Sequence, residues 1–197
     1  MPKFKIKASS ITNLTDARYF AAMLVDYLGF QLDFSHDDRI SPEVFHGIKA
    51  WVEGPQIVAQ VGKTPADLLQ EVYAADDFDL VTCDLDNNQF PQAETIYTYT
   101  PTSLQALAHQ EFAKDRIYQL DLAAIDEQEM YRGRLLSELC AQHKIFVSAP
   151  SHEGHIRKLI EEVRPYGISV QGSAEEKVGF KSYDELDVFF DQLEIYS

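Results

Sequence analysis

Three apolar runs of this chain end on the same kind of residue: Gln31-Leu32-Asp33, Thr82-Cys83-Asp84 and Gln119-Leu120-Asp121 each close on an aspartate. A carboxylate so placed serves as a general acid or base, a metal ligand, or the counter-ion of a cation. If the three share a site, they raise one another's pKa values unless a cation relieves them. Lys5, Lys7 and Ser9 alternate, so all three point to one side of a strand. Lys7 is then the natural counter-ion of Asp33, Asp84 or Asp121; buried without a carboxylate, it tends to lose its charge. His152 and His155 stand at the i, i+3 spacing with Glu153 between them. With Asp84 or Asp121 they make a divalent-metal set of imidazoles and a carboxylate. No ligand motif surrounds them, and a polar helix start with Glu153 complementing the helix dipole is the simpler reading. No metal and no cofactor is therefore assigned.

The elements that must position these groups alternate in type. Strand patterns occur at 4–8, 27–32, 56–61, 79–83, 94–99, 116–120, 144–148 and 168–171. Helical patterns follow at 13–25, 41–52, 64–75, 102–110, 127–142, 151–163 and 182–193. Asn13 supplies N-cap chemistry, Ser41 stands before Pro42 at the first helical position, Thr64-Pro65 opens a third helix and Ser151 caps another. The stretch 86–93 is too short for a full helix. Strands alternating with helices imply parallel βαβ units, and eight of them imply a single small (β/α)8 TIM barrel over 1–197 with the fourth helix short or missing. An open doubly wound sheet is the alternative that the same alternation allows. In the barrel, the three aspartates converge on one mouth. Leu186, Phe189, Phe190 and Leu193 carry helix-core spacing, Tyr97 and Tyr99 line the barrel, Trp51 reads as packing, and Asp37-Asp38 and Asp76-Asp77 read as solvated turns.

Composition bounds the partners. The chain has 197 residues, with 17 Lys and Arg against 32 Asp and Glu, a formal charge of −15. Hydrophobic residues make up 45% and charged residues 25%, ordinary globular proportions. A sequence pI near 4.7 argues against nucleic acid and against an anionic membrane surface, since both are bound through Lys and Arg. No apolar run approaches the roughly 20 residues of a membrane span. The alternating, charged N-terminus is unlike a signal peptide. Cys83 and Cys140, far apart, read as reduced thiols of a cytoplasmic protein. The expected partner is a small-molecule ligand, a sugar phosphate among the candidates; the oligomeric state is open.

Several stretches resemble the phosphoribosylanthranilate isomerase family. Lys5-Ile6-Lys7-Ala8-Ser9-Ser10-Ile11-Thr12-Asn13 is similar to its opening strand, Lys-Ile-Cys-Gly-Ile-Thr with a cap. Leu28-Gly29-Phe30 with Ser35, Arg39, Ile40, Ser41 and Pro42 resembles its second strand and loop. Gln119-Leu120-Asp121 resembles the end of its sixth strand, and 163–170 the approach to its eighth. The resemblance implies a (β/α)8 barrel and an Amadori isomerisation of an amino-sugar phosphate. It implies Asp121 as general acid and Arg39 as the holder of a substrate carboxylate. It places Ser9 where the family has its cysteine base, and an unassisted serine is a far weaker base than a thiol of pKa near ~8.5. The family's phosphate cradle falls on Ala149-Pro150, where Pro has no N–H to donate, and on Gly172 and Ser173, which can form a small anion nest. The Gly-rich loop after the sixth strand is absent, and the family's Gln-x-His on the fourth appears as Thr82-Cys83-Asp84. These departures lead to the expectation of a barrel degenerate for the isomerisation, binding a small ligand or partner at its mouth through Arg39, Lys7, Asp84, Gly172 and Ser173. A working sugar-phosphate isomerase of tryptophan synthesis using Asp121 and Ser9, and a metal-dependent enzyme using Asp84, Asp121 and His152, are the alternatives.

Overall fold

The computed structural model describes residues 4–87, 89–90, 93–131, 133–148, 153–171 and 183–194, with the backbone alone at 153–155 and 194. Eight strands follow one another in sequence order around a closed barrel. They are β1 (Lys5–Ile11), β2 (Tyr27–Gln31), β3 (Gln56–Gly62), β4 (Leu80–Asp84), β5 (Glu94–Tyr99), β6 (Ile117–Asp121), β7 (Lys144–Ser148) and β8 (Gly167–Gln171). The described pairings are parallel, and closure in sequence order excludes the open doubly wound sheet. The chain divides into two compact units, Ile6–Tyr99 and Met1–Lys5 with Thr100–Ser197.

In the first unit, local chemistry starts each element where the sequence calls for it. Asn13 Oδ1 accepts from Asp16 N at 2.9 Å and opens α1 (Leu14–Ala22). Ser41 Oγ accepts from Val44 N at 3.3 Å and opens α2 (Pro42–Lys49) with Pro42 in its first turn. Aspartates cap strand starts: Ile6 N donates to Asp26 Oδ2 at 2.8 Å and Ile57 N to Asp79 Oδ2 at 2.7 Å. Phe45, fully buried on α2, meets Phe30 of β2 at 5.1 Å and Tyr73 at 5.6 Å between ring centroids, both edge-on. Burying such a ring contributes about 1.5–3 kcal/mol. Two expectations fail here. The third helix begins as expected but spans only Ala66–Gln70 (α3), and the chain then turns into a short 3-10 segment, Ala75–Asp77, closed by Ala74 N donating to Asp77 Oδ2 at 3.0 Å. Trp51 is 71% exposed, since it follows the end of α2, off the stripe that buries Phe45 and Ile48. Between β4 and β5 no helix occurs among the described residues.

In the second unit, α4 (Leu104–His109) is capped by Ser103, whose Oγ accepts from Ala106 N at 3.1 Å. The helix expected at 127–142 is two, α5 (Glu127–Tyr131) and α6 (Leu135–Gln142). Gly133 lies in the break, and Arg134 leaves helical geometry at φ −98 and ψ 0, consistent with the helix cost of glycine. α7 (Glu153–Lys158) runs into one wide turn over Leu159–Val163, which Arg164 ends in the left-handed region at φ 55. Ser151 lies outside the described residues. On α8 (Asp184–Glu194) the expected stripe Leu186, Phe189, Phe190 and Leu193 is buried. Among the described residues no helix is long and apolar enough to cross a membrane.

Candidate functional site

The first unit carries its densest chemistry on β1. Strand alternation turns Lys7 and Ser9 to one side, and both are enclosed, with 0% and 1% of their surface exposed. Lys7 Nζ donates to Ser9 Oγ at 2.7 Å. Burial alone lowers the Lys7 pKa from 10.5 to about 7. An enclosed ammonium with no paired carboxylate among the described residues is disfavoured against the neutral amine. Near pH 7 the amine form is well populated, and its nitrogen lies within hydrogen-bond reach of the serine hydroxyl. Lys7 is therefore not the counter-ion of an aspartate, as the strand-end pattern allowed.

The backbone beyond Ser9 is built to hold it. β1 shifts register against β2 between Ala8 and Ile11, and Ser10 adopts φ 57 at the place where the motif it resembles has glycine. A non-glycine residue in that region persists only where its surroundings enforce it. Gln60 Oε1 on β3 accepts from Ser10 N. Gly29 leaves the room for that reach: a Cβ there would stand 2.9 Å from Gln60 Oε1 and 3.1 Å from Ala8 O. Gly29 enters the sequence reading only through the second-strand resemblance, and Gln60 not at all; no local motif marks a glutamine that acts across two strands.

The aspartates of this unit are engaged elsewhere. Asp33 Oδ1 accepts from Thr64 Oγ1 at 2.9 Å, Ser35 Oγ at 2.8 Å and Ser35 N at 2.9 Å, which ties the loop after β2 to the end of β3. Gly62, at φ 51, lets Asp33 in, since a Cβ there would lie 2.0 Å from its Oδ2. Asp84 ends β4, accepts from Thr98 Oγ1 at 3.4 Å and faces Lys63 Nζ at 3.9 Å. Arg39 is exposed on the loop after β2, where its guanidinium stacks over the Phe34 ring at 4.2 Å and pairs with neither Asp37 nor Asp38. Stacking leaves the edge of the guanidinium fork available to a carboxylate. The Cys83 thiol donates to Asn87 O at 3.4 Å, and both cysteines are free and buried.

In the second unit, Asp121 ends β6 half-buried, and its Oδ1 accepts from Ala123 N at 3.1 Å. That bond fixes the carboxylate at the start of the following loop and leaves Oδ2 for other work. On the same strand Gln119 Nε2 donates to Ser148 Oγ on β7 at 3.2 Å, and its Oε1 is buried without a partner. Gly172, Ser173, Ala149-Pro150 and His152 lie outside the described residues, as does the His155 side chain. Among the described residues no group of three His, Cys, Asp or Glu is placed to hold a metal ion.

No family model matches the sequence, and no curated protein sequence matches it. The structure is similar to the phosphoribosyl anthranilate isomerase of Thermotoga maritima, at a TM-score of 0.79 and 16% identity over 97% of this chain and 98% of that one. It is similar to the enzyme of the same name from Thermus thermophilus, at 0.73 and 17% over 98% of this chain and 100% of that one. It is also similar to the type I 3-dehydroquinate dehydratase of Clostridium difficile, at 0.58 and 12% over 100% and 95%. The likeness establishes the (β/α)8 fold, and its isomerase neighbours bear the family name that the sequence motifs resemble. One barrel carries both an isomerase and a dehydratase, so chemistry has to be argued from side chains.

Proposed function

We propose that this chain is an Amadori-type isomerase of an amino-ribose phosphate, in which Lys7 and Ser9 together replace the thiol base of the isomerases it resembles. One observation carries the reading: an amine whose pKa is brought to about 7 stands 2.7 Å from the serine hydroxyl at the position of that thiol. A lone serine argues for a barrel that has lost isomerisation; a serine with a neutral amine beside it has a base of its own. The reaction opens a ribosylamine to an iminium, removes the proton on C2, and lets the resulting enaminol become the ketose. Asp121 donates the proton to the ring oxygen. Ser9 Oγ takes the C2 proton as its own hydroxyl proton passes to Lys7 Nζ, leaving an ammonium. Arg39 holds a carboxylate on the amine substituent through its fork. The other reading, a ligand-binding barrel without turnover, is favoured by the 1% exposure of Ser9.

Turnover of phosphoribosylanthranilate decides between them, with Lys7→Met and Asp121→Asn as the variants. The expected result is wild-type kcat/KM that rises with pH through about 7, as Lys7 loses its proton, and a loss of about 10²-fold or more in each variant. Wild-type turnover no faster than that of Asp121→Asn would overturn the proposal and leave the binding barrel.

A further inference from the structure

At the strand-start end of the second unit lies a cavity of about 790 Å³. Four cations line it: Lys5, which opens β1, Lys144, which opens β7, and Lys114 and Arg164, which precede β6 and β8. Glu161 is the one acidic residue in its wall. In a chain with 32 acidic residues against 17 basic ones, four cations around one cavity run against the charge of the whole. Among the described residues, Lys114, Lys144 and Arg164 pair with no carboxylate. Lys144 Nζ instead lies 5.9 Å from the centroid of the Tyr166 ring, and Arg164 Nε donates to Glu161 O at 3.3 Å. Arg164 occupies a left-handed position, φ 55, where a helix end ordinarily takes glycine. A strained residue that brings a cation to a cavity points to use of that cation. Phe4, Ile160, Pro165 and Tyr166 give the wall an apolar and aromatic side, beside the polar Gln142 and His143.

We infer that this cavity binds a small organic phosphate with a flat apolar body, the phosphate against Lys114, Lys144 and Arg164 and the body along Tyr166 and Phe4. The volume suits a ligand of that size. Three unpaired cations against one glutamate call for more than a single negative charge, and guanidinium and ammonium groups bind phosphate oxygens through charge-assisted hydrogen bonds. The apolar wall distinguishes the ligand from free phosphate. Lys144, at the start of its strand, is separate from Asp121, at the end of the neighbouring one, so this site does not rest on the isomerase reading.

Isothermal titration calorimetry of the full chain with 1-naphthyl phosphate, 1-naphthol and inorganic phosphate tests the inference. The expected result is saturable binding of 1-naphthyl phosphate, about tenfold or more tighter than that of inorganic phosphate, with no binding of 1-naphthol. Lys144→Gln and Arg164→Gly should each weaken it about tenfold, and Asp121→Asn should leave it unchanged. Arg164→Gly suits the left-handed backbone, so lost affinity in that variant is not lost folding. Absence of saturable binding overturns the inference. So does equal binding of 1-naphthol, which means an apolar cavity only, or wild-type affinity in the Lys144→Gln/Arg164→Gly double variant, which puts the ligand elsewhere.

Discussion

Two groups of cations in this chain are handled in opposite ways. Lys7 of the first unit is wholly enclosed, its amine answered by a serine hydroxyl, and its pKa falls to about 7. Lys114, Lys144 and Arg164 of the second unit are exposed at the wall of an open cavity. Water solvates the second group, whereas a hydroxyl alone answers the first, and that difference separates a proton acceptor from a binding charge. Depth along a strand is enough to decide it. Lys5 and Lys7 lie two residues apart on β1, one at the cavity wall and the other fully buried. The first region also ties Asp33 and Ser10 to distant partners, while Lys114, Lys144 and Arg164 of the second pair with no carboxylate among the described residues.

The largest expected effect on stability comes from loosening the first region. Gly62→Ala must place a Cβ against Asp33 and adopt φ 51, so it should destabilise the fold by about 3 kcal/mol in urea unfolding. A loss under about 0.5 kcal/mol would show that Asp33 moves aside freely. A smaller effect sharpens the contrast between the lysines. With its folded pKa lowered to about 7 from 10.5, Lys7 holds fewer protons folded than unfolded throughout that window, so stability rises with pH across it. From pH 7 to 9 Lys7 contributes a gain of about 2 kcal/mol, which the Cys140 thiol, pushed up to about 12 by burial, partly offsets from about pH 8 upward, where the unfolded thiol ionises. Lys7→Met should remove that rise and Lys144→Gln should keep it, as read from urea midpoints at each pH. An unchanged slope in Lys7→Met would break the comparison. The smallest effect belongs to the second region: Arg164→Gly should raise stability by about 0.5 kcal/mol, the relief of left-handed strain less the added chain entropy of glycine.

Much of the architecture was legible in local chemistry. Asn13 and Ser41-Pro42 open their helices because a cap needs only a side-chain oxygen and the next turn of backbone. The alternation of eight strands with helices pointed to the barrel, and the shortness of 86–93 accords with the lack of a helix there among the described residues. Where the reading failed, the length of an element was misjudged from its pattern: α3 gives way early to a 3-10 segment at Ala75–Asp77, Trp51 falls just past the buried stripe of α2, and Gly133 divides the helix expected at 127–142.

The candidate site divides along the same line. The sequence by itself determined that Lys7 and Ser9 share a face of one strand, that Asp121 closes another, and that Ser9 stands where the resembled motif has cysteine, because alternation and motif spacing are properties of neighbouring residues. Only the tertiary structure decided that Lys7 is enclosed with no carboxylate partner among the described residues, that Asp33 is consumed by Thr64 and Ser35, and that cations from four separate segments line one cavity. Those outcomes depend on which surfaces lose water and which strangers in sequence come within a few ångströms, and burial, not residue type, sets whether a lysine serves as a base or as a charge.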